Sequence, residues 1–449
     1  MTKVNYKKKG LDSIVLGLAL FAMFFGAGNL LFPTDIGVQA GTKWLTGYLF
    51  YFLADAGLAI LAVIAMVRVD GDFNRATGVI GKIPSAAVNT AVILCIGPVL
   101  AIPRTAATTY EMGVAPVTGL DPVGKVPLAV FSVIFFVIVL LLSIRPNKVV
   151  DIIGKILTPV LVLSLVLLIL VGIIMPKAAP AAPVTTNVAR DGILNGYQTM
   201  DLLAAMFFSV IIINGASQKG YATRKSKTGI TVKASIIAGI LLFAVYGGLA
   251  YIGASTGSLW QTGVLDGTVN QAALLIYITE ALLGKPGVII LGIVVACACL
   301  TTAIGLTSAA AEYFRDLSKG KLKYEYVVIA VCIISALMCN LGVTEIINIA
   351  APVLTVIYPL SVFLVFSVFL HGKVKNVNAY IGAAAVTFAI SLITVIYDLT
   401  GAQSIAWVHN ALPLDSYGFN WAAPCVAAFL IGMCVPGKKL SDIIVPAEK

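Results

Sequence analysis

The sequence predicts an all-α polytopic membrane protein with about twelve transmembrane helices. Of its 449 residues, 59% are hydrophobic and only 11% are charged, and the mean hydropathy is +1.01. Soluble domains carry about 45–50% apolar and about 25% charged residues, so a water-soluble protein of this size would lack the charges to cover its surface. The length also fits about a dozen spans of roughly 20 residues with short connections. Soluble protein classes are therefore excluded.

Twelve apolar runs of spanning length divide the chain, and each predicts one transmembrane helix. The first run follows a lysine cluster, as in a signal peptide, but eleven further runs and the lack of a cleavage motif predict that it stays as a helix. The runs cover residues 11–40, 45–67, 84–114, 126–144, 147–175, 194–219, 229–255, 286–317, 325–342, 344–370, 377–397 and 420–436.

The basic residues concentrate in alternate links between these runs. If both termini face the cytoplasm, 24 of the 30 Lys and Arg residues lie on the cytoplasmic side, 5 lie on the outer side and Arg104 falls deep within a span. Because positive charge is enriched on the cytoplasmic side, this pattern predicts a multi-pass protein of the cell membrane with both termini cytoplasmic. It also accounts for the net charge of +10, so no nucleic-acid partner is expected.

The first run contains a segment expected to interrupt its helix, Gly26-Ala27-Gly28-Asn29 followed by Pro33. Glycine and proline weaken a helix from within. In lipid, the backbone groups freed by a break are tolerated only where they line a cavity or a binding site. The N–H groups after the break suit a carboxylate and the carbonyls before it suit a cation or an ammonium. The segment predicts a site for an amino-acid zwitterion; the alternative is that Gly26 and Gly28 only allow close helix packing.

The eighth run carries a second candidate site, formed by Ala298, Thr301 and Thr302. On a helix, a carbonyl lies beside the side chains three and four residues later. One carbonyl and two hydroxyls would give three neutral oxygens to a small monovalent cation. The alternative is that both threonines hydrogen-bond to their own helix.

Charged and polar residues in three other runs are further candidates. Asp55 in the second run and Arg104 in the third lie at similar depths, at about 1.5 Å per residue, which predicts a structural ion pair between them. Glu111 is the alternative partner for Arg104. Asp201 lies near the outer end of the sixth run, the counterpart of the first in a five-plus-five inverted repeat, and is interpreted as a helix cap or a solvated residue.

Two motifs resemble the signatures of the bacterial branched-chain amino acid:cation symporters. They are residues 26–33 (GAGNLLFP), with glycines at 37 and 41, and residues 97–105 (GPVLAIPRT), and the likeness covers essentially the whole chain. The resemblance implies a LeuT-like fold, a five-plus-five inverted repeat plus two C-terminal helices. Helices 1–5 would occupy residues 1–176, helices 6–10 residues 190–371, and helices 11–12 with a cytoplasmic tail residues 372–449.

The resemblance also implies which residues bind substrate and ion. The substrate carboxylate would meet the backbone N–H groups at the first break, with contributions from helix six. The substrate-binding residues would be Gly26, Ala27, Gly28, Asn29, Phe207, Phe208 and Ser209. A Na⁺ would be held by carbonyl and hydroxyl oxygens of Ala22, Phe25, Ala298, Thr301 and Thr302.

The resemblance implies a secondary transporter that imports leucine, isoleucine or valine by symport with a cation, Na⁺, and uses no cofactor. The alternative is a proton-coupled carrier of the same fold in which Asp55 or Glu312 carries the proton. A channel or a membrane-embedded enzyme is disfavoured, because the runs contain no repeated filter segment and no constellation of histidine or cysteine. The order of preference among the three amino acids, the ion stoichiometry and the oligomeric state stay open.

Overall fold

The computed structural model describes residues 6–144 and 158–440, so residues 147–157 of the fifth predicted span lie outside the described part. Within that part, each of the twelve predicted spans overlaps a helix. Eight helical stretches are long and apolar enough to cross a membrane. The four shorter apolar helices are Gly10–Phe24, Thr158–Ile174, Tyr324–Cys339 and Ala422–Cys434. The protein is an all-helical, multi-pass membrane protein, as the composition predicts.

The helices are numbered here in chain order within the described residues. They are α1 (Tyr6–Phe24), α2 (Ala27–Ala40), α3 (Trp44–Phe52), α4 (Leu58–Arg68), α5 (Phe73–Thr77), α6 (Lys82–Leu94), α7 (Ala101–Thr109), α8 (Ala115–Thr118), α9 (Lys125–Ser143), α10 (Thr158–Ile174), α11 (Val188–Thr199), α12 (Asp201–Gln218), α13 (Arg224–Ala254), α14 (Gln261–Leu265), α15 (Gln271–Leu317), α16 (Tyr324–Cys339), α17 (Val343–Val368), α18 (Val377–Thr400), α19 (Trp407–Asn410) and α20 (Ala422–Cys434). Single π-helical turns cover Leu53–Gly57, Cys95–Val99 and Tyr110–Val114.

Three spans are interrupted in their interior within the residues that the structure describes. In the first span, α1 ends at Phe24 and α2 begins at Ala27, which confirms the predicted break. In the sixth span, Met200 alone separates α11 from α12 and has a φ of 66°. In the third span, Gly97 has non-helical angles (φ −91°, ψ −124°) and is followed by a proline, which cannot donate to the helical ladder. Backbone groups are therefore freed at three points inside the bundle.

Helix α15 contains the eighth span and is much longer than a membrane is thick. Its 47 residues would extend about 70 Å as one straight helix, whereas the hydrocarbon core is about 30 Å thick. The helix is bent at Gly284, whose φ of 65° and ψ of −162° suit only glycine, and Pro286 follows. The predicted span 286–317 corresponds to the part beyond this bend.

The first and seventh spans pack so closely that their backbones touch. A Cβ atom added to Gly37 of α2 would lie 2.1 Å from the Ala250 carbonyl oxygen of α13, and one added to Gly253 would lie 2.1 Å from the Thr34 oxygen. Small residues allow this kind of approach between membrane helices. The contact fixes α2, and with it the first break, against α13.

Apolar side chains also cover the outside of the bundle. On α9, Val126 is 75% exposed and Leu141 is 66% exposed, and other apolar residues lie between them on the same face. Exposed apolar surface on this scale is expected only where a protein contacts another apolar phase. This face of α9 is accordingly suited to contact lipid chains.

Candidate substrate and cation site

The first break exposes the beginning of α2 at the centre of the bundle. Gly26 adopts an extended conformation (φ −106°, ψ −160°), and its N–H donates to Asn29 Oδ1 at 3.2 Å. The N–H groups of Ala27 and Gly28 open a new helix, so they have no acceptor within it. All four residues line one small cavity. The cavity thus presents helix N–H groups and the positive end of a helix dipole, as the sequence predicts.

The cavity lies where the three interrupted spans meet α15, and its walls are largely apolar. The volume open to the centre of a water molecule is about 20 Å³, which is room for roughly one water. A larger molecule therefore enters only if the walls move. The apolar residues that line it include Met23, Phe24, Ala204, Phe208 and Leu306.

The three predicted pocket residues of the sixth span have different surroundings. Phe208 lines the cavity. Phe207 instead stacks on Phe73 with a centroid separation of 4.2 Å, and Tyr313 meets it edge-on at 5.9 Å. The hydroxyl of Ser209 donates to the Met206 carbonyl of its own helix. Consecutive residues of a helix point in different directions, which is why only one of the three reaches the cavity.

Arg104 lies against the backbone of the first break. Its side chain is buried, and Nη1 donates to the Gln198 carbonyl oxygen at 2.9 Å, just before the break in the sixth span. The guanidinium carbon lies 5.7 Å from the centroid of the Phe32 ring. A Cβ atom added to Gly28 would be only 2.9 Å from Nη2, so glycine at this position allows the guanidinium to approach. Arg104 therefore adds a positive charge to the N–H groups of the cavity.

The predicted ion pair between Asp55 and Arg104 is not formed. Asp55 accepts hydrogen bonds from Thr199 and Asn29, whereas Arg104 donates to a backbone carbonyl. Glu111 is not the partner of Arg104 either, since its Oε1 accepts the N–H of Val343 at 3.0 Å and caps the start of α17. Equal depth in the membrane did not place Asp55 and Arg104 in contact.

Asn29 joins two aspartates that are distant in sequence. Its Nδ2 donates to Asp201 Oδ2 at 2.9 Å and to the Tyr246 hydroxyl at 2.5 Å, and it lies 3.4 Å from Asp55 Oδ2. The Thr199 hydroxyl donates to Asp55 Oδ1 at 2.7 Å. Both carboxyl groups are buried, and Asp201 also lines the cavity. Asp201 does begin a helix, as predicted, but inside the bundle rather than in solvent.

The candidate cation site forms where α1 ends against α15. The Thr301 hydroxyl contacts the Ala22 carbonyl at 2.7 Å and the Ala298 carbonyl at 2.8 Å. In an unbroken helix Ala22 would accept the N–H of Gly26, but that N–H donates to the Phe24 carbonyl and to Asn29. The break thus frees the Ala22 carbonyl, and Thr301 contacts it across the two helices.

Thr302 extends this cluster by one residue. Its hydroxyl donates to the Met23 carbonyl at 3.0 Å, and a Cβ atom added to Gly26 would lie 2.8 Å from the hydroxyl oxygen of Thr302. Phe25 was predicted as a carbonyl ligand, but the hydroxyl of Thr302 bonds to the carbonyl of Met23 instead. Three of the five predicted ion ligands, Ala22, Ala298 and Thr301, are therefore in contact with one another, while Thr302 contacts Met23 and not Phe25. Neutral hydroxyl and carbonyl oxygens are suitable ligands for a monovalent cation.

Other charged positions do not add to this cluster. In the part of the chain that the structure describes, no group of three or more His, Cys, Asp or Glu residues could hold a metal ion. Glu312 lines a second, more open cavity of about 260 Å³ together with Asp72 and Tyr313. Phe73 and Tyr313, which stack around Phe207, also line that cavity. Phe73, Phe207 and Tyr313 thus form an aromatic cluster at the wall of the open cavity. Phe207 is adjacent in sequence to Phe208, which lines the small cavity.

Sequence reasoning missed the break in the third span and did not locate the break in the sixth. The Gly97-Pro98 pair in the third span carried a visible signal for a break, because proline lacks the N–H of the helical ladder. The break at Met200 carried none, since methionine is an ordinary helix residue. Without that break, the position of Asp201 opposite Asn29 could not be deduced.

Known transport proteins resemble this chain over almost its whole length. The family described as "Branched-chain amino acid transport protein" matches residues 9–439. The chain is 34% identical over 433 residues to the branched-chain amino acid permease BrnQ of Bacillus subtilis (strain 168), covering 93% of this chain and 95% of that protein. It is 35% identical over 438 residues to the permease BrnQ of Salmonella typhimurium (strain LT2), covering 96% and 97%.

Two solved transporter structures share the LeuT-like fold over most of the chain. Mhp1, a nucleobase-cation-symport-1 family transporter in a closed conformation with bromovinylhydantoin bound, matches with a TM-score of 0.59 at 14% identity and covers 94% of this chain and 91% of its own. A Na⁺-coupled sialic acid symporter in a substrate-bound, outward-open state matches with a TM-score of 0.52 at 15% identity, covering 95% and 90%. The chain belongs to the branched-chain amino acid transport protein family and is a transporter, not an enzyme.

Proposed function

We propose that the protein imports leucine, isoleucine and valine across the bacterial cytoplasmic membrane by symport with Na⁺. The observation that carries the proposal is that one buried cavity presents opposite charges at its polar end. Arg104 and the N–H groups of α2 can receive a carboxylate, while Asp201 can receive an ammonium. A free amino acid carries both groups on adjacent atoms. The description of the family and the names of the permeases that this chain resembles support a branched-chain amino acid as the substrate.

The apolar walls favour an aliphatic side chain over a smaller one. Burial contributes about 0.8 kcal/mol per CH₂, so the three extra carbons of leucine relative to alanine add about 2.4 kcal/mol, or roughly 50-fold in affinity. Phe24, Phe208 and Leu306 are placed to supply this contact once the cavity widens. The polar end recognises any amino acid, and the apolar end selects its side chain.

The contacts between α1 and α15 support Na⁺ as the coupling ion. A cation among the oxygens of Ala22, Met23, Ala298, Thr301 and Thr302 would replace the hydrogen bonds that the two hydroxyls now make, with the hydroxyl lone pairs turned inward. Bound Na⁺ would hold α1 against α15 and favour the conformation that binds substrate. Proton coupling is the second candidate. Asp55 is then a better candidate than Glu312 for the proton carrier, because Asp55 and Asp201 both contact Asn29, whereas Glu312 lines the other cavity.

The proposed architecture places both termini in the cytoplasm and relates two halves by inverted topology. Residues 1–176 would form the first repeat, 190–371 the second, and 372–449 the two additional helices with the tail. Support comes from the breaks, because the first span of each half is interrupted beside the same cavity. Inverted repeats of this kind place their site at corresponding interrupted helices.

Uptake of labelled leucine into proteoliposomes tests the function. An inward Na⁺ gradient and an inward proton gradient would be imposed separately, at the same membrane potential. Uptake driven by Na⁺ alone supports the proposal, uptake driven by protons alone replaces the coupling ion, and no uptake under either gradient refutes the substrate assignment.

A pair of arginine variants tests the site within the same assay. Arg104→Gln removes the charge proposed to bind the substrate carboxylate, so the KM for leucine should rise at least tenfold. Arg315→Gln is the matched control, because Arg315 is half-exposed and pairs with Asp316 at the end of α15, outside the cavity. Equal KM values for the two variants would contradict the role of Arg104.

A further inference from the structure

Asp55 and Asp201 are placed as one unit rather than as two independent carboxylates. Both contact the same atom, Nδ2 of Asn29, at 3.4 and 2.9 Å, so the two carboxyl groups share one buried polar site. An ionised carboxylate can only accept hydrogen bonds. Two ionised carboxylates around one buried amide nitrogen would repel each other, so this arrangement favours a proton on one of them.

The surrounding charges agree with one shared proton. The charged and titratable groups that face the pair from the helices packed around it, within the described residues, are one guanidinium and three phenols: Arg104, Tyr51, Tyr246 and Tyr358. Phenols ionise near pH 10 in water and are neutral here. One positive charge thus faces two carboxyl groups, and a single proton brings the cluster to neutrality. Uncompensated charge is costly inside a membrane protein.

The two aspartates differ in their access to the cavity. Asp201 lines it, whereas Asp55 lies behind, fully buried and bonded to Thr199. A substrate ammonium would therefore contact Asp201 first and would add a positive charge to the pair. An opposite charge at this distance favours the ionised carboxylate, so the ammonium and the shared proton compete for the same oxygens.

We propose that Asp55 and Asp201 form a single proton-binding site, which is filled in the substrate-free protein and releases its proton to solvent when the substrate ammonium binds. No covalent bond other than the O–H bond changes, and the proton leaves as the ammonium arrives. This inference rests on the proposed function, because it assumes that an amino acid occupies the cavity. It adds a proton site to the substrate and Na⁺ sites.

Proton release on leucine binding tests the inference directly. Purified protein in weakly buffered detergent solution, at constant Na⁺ concentration, would be mixed with leucine in the presence of a pH indicator, and the Kd would be measured by calorimetry between pH 5 and 8. We expect release approaching one proton per bound leucine at the acidic end of this range. The Kd should fall as the pH rises, by at most about tenfold per pH unit. Leucine binding without proton release and with a constant Kd would overturn the inference. No leucine binding at any pH would overturn the proposed function on which it rests.

Variants identify the source of the proton. In Asp55→Asn an amide takes the place of the protonated carboxyl and can donate to Asp201, so the proton release should be lost. Glu111→Gln is the control, since Glu111 is also a buried carboxyl but caps α17 outside the cavity, and its release should match that of the wild type. Undiminished release in Asp55→Asn would overturn the assignment.

A milder variant covers the case in which Asp55→Asn does not fold. Thr199→Val keeps both carboxyl groups and nearly the same volume, but removes the hydroxyl that donates to Asp55 Oδ1. The loss of one hydrogen bond to a charged group should move the pH midpoint of leucine binding upward by about one unit. An unchanged midpoint, or a downward shift, would contradict a shared proton on this pair.

Discussion

Thr301→Val removes a hydroxyl from the proposed cation site without changing the size of the side chain. The hydroxyl lies 2.7 Å from the Ala22 carbonyl oxygen and 2.8 Å from that of Ala298, and the residue is fully buried. The Ala298 carbonyl also accepts the helical N–H four residues later, so removing the Thr301 hydroxyl leaves it with a hydrogen-bond partner. The Ala22 carbonyl lies at the end of α1, where the break has removed the helical donor. Valine therefore affects this carbonyl most.

The magnitude follows from these contacts. A buried polar group without a partner costs about 1–3 kcal/mol, and a cation that loses one of its ligands loses a similar interaction. This range corresponds to about a 5- to 150-fold increase in the Na⁺ concentration that gives half-maximal leucine uptake. Thr301→Ser keeps the hydroxyl and should remain within a few-fold of the wild type.

The assay is leucine uptake into proteoliposomes as a function of Na⁺ concentration, normalised to the amount of protein inserted. If Thr301→Val reaches half-maximal uptake at the same Na⁺ concentration as Thr301→Ser, the hydroxyl does not bind the ion, and the assignment of the site to α1 and α15 is wrong. The double variant Thr301→Ala with Thr302→Ala extends the test, because it should abolish Na⁺-dependent uptake while the protein remains in the membrane.

Three further predictions concern positions around and outside this site. Gly28→Ala places a Cβ atom 2.9 Å from Arg104 Nη2, so the KM for leucine should rise about tenfold in uptake assays while the Na⁺ dependence stays unchanged; a normal KM would show that the guanidinium is free to move. Phe207 stacks at 4.2 Å on Phe73, which lines the open cavity, and is adjacent to Phe208, which lines the small one; Phe207→Ala should therefore open a path between the two cavities and accelerate leucine efflux from loaded proteoliposomes, and unchanged efflux would show that this ring does not separate them. Burial lowers the pKa of His371, in the turn after α17, to about 4, so the unfolded chain binds more protons below pH 6.5 and stability is lost as pH falls from about 6.5 to about 4. His371→Gln should remove this part of the acid sensitivity in thermal melts, and an identical pH profile for the variant would contradict it.

The spans and the first break could be predicted because they depend on local chemistry. Apolar length determines which segments can cross a bilayer, and the two glycines around Ala27 weaken the helix at the point where it is broken. Pro33 contributed to the same prediction but lies inside α2, six residues beyond the start of that helix. A proline at this position frees the carbonyl of Asn29, four residues earlier, so it acts on the first turn of α2 and not at the break itself. The glycine and proline content of the segment predicted a break, but the position of Pro33 did not indicate where the break lies.

The partners of the buried charges could not be predicted because they depend on packing between distant segments. Asn29 and Asp201 are separated by 172 residues, and their contact requires both breaks. Depth along a span placed Asp55 and Arg104 at one level, but a level contains several helices and does not specify which side chains face each other. The direction in which each helix face points is set by contacts such as that between Gly37 and Ala250.

Gly26 is the position at which the proposed ion and substrate sites meet. Its N–H donates to Asn29 on the substrate side, and a Cβ atom at this position would lie 2.8 Å from the Thr302 hydroxyl oxygen on the ion side. The break thus couples the sites across one residue, since any movement of this backbone alters both sets of contacts. Gly26→Ala should therefore raise both the Na⁺ concentration for half-maximal uptake and the KM for leucine, whereas Gly28→Ala raises only the KM. If Gly26→Ala changes only one of these two quantities, the ion and the substrate are coupled through a different part of the fold.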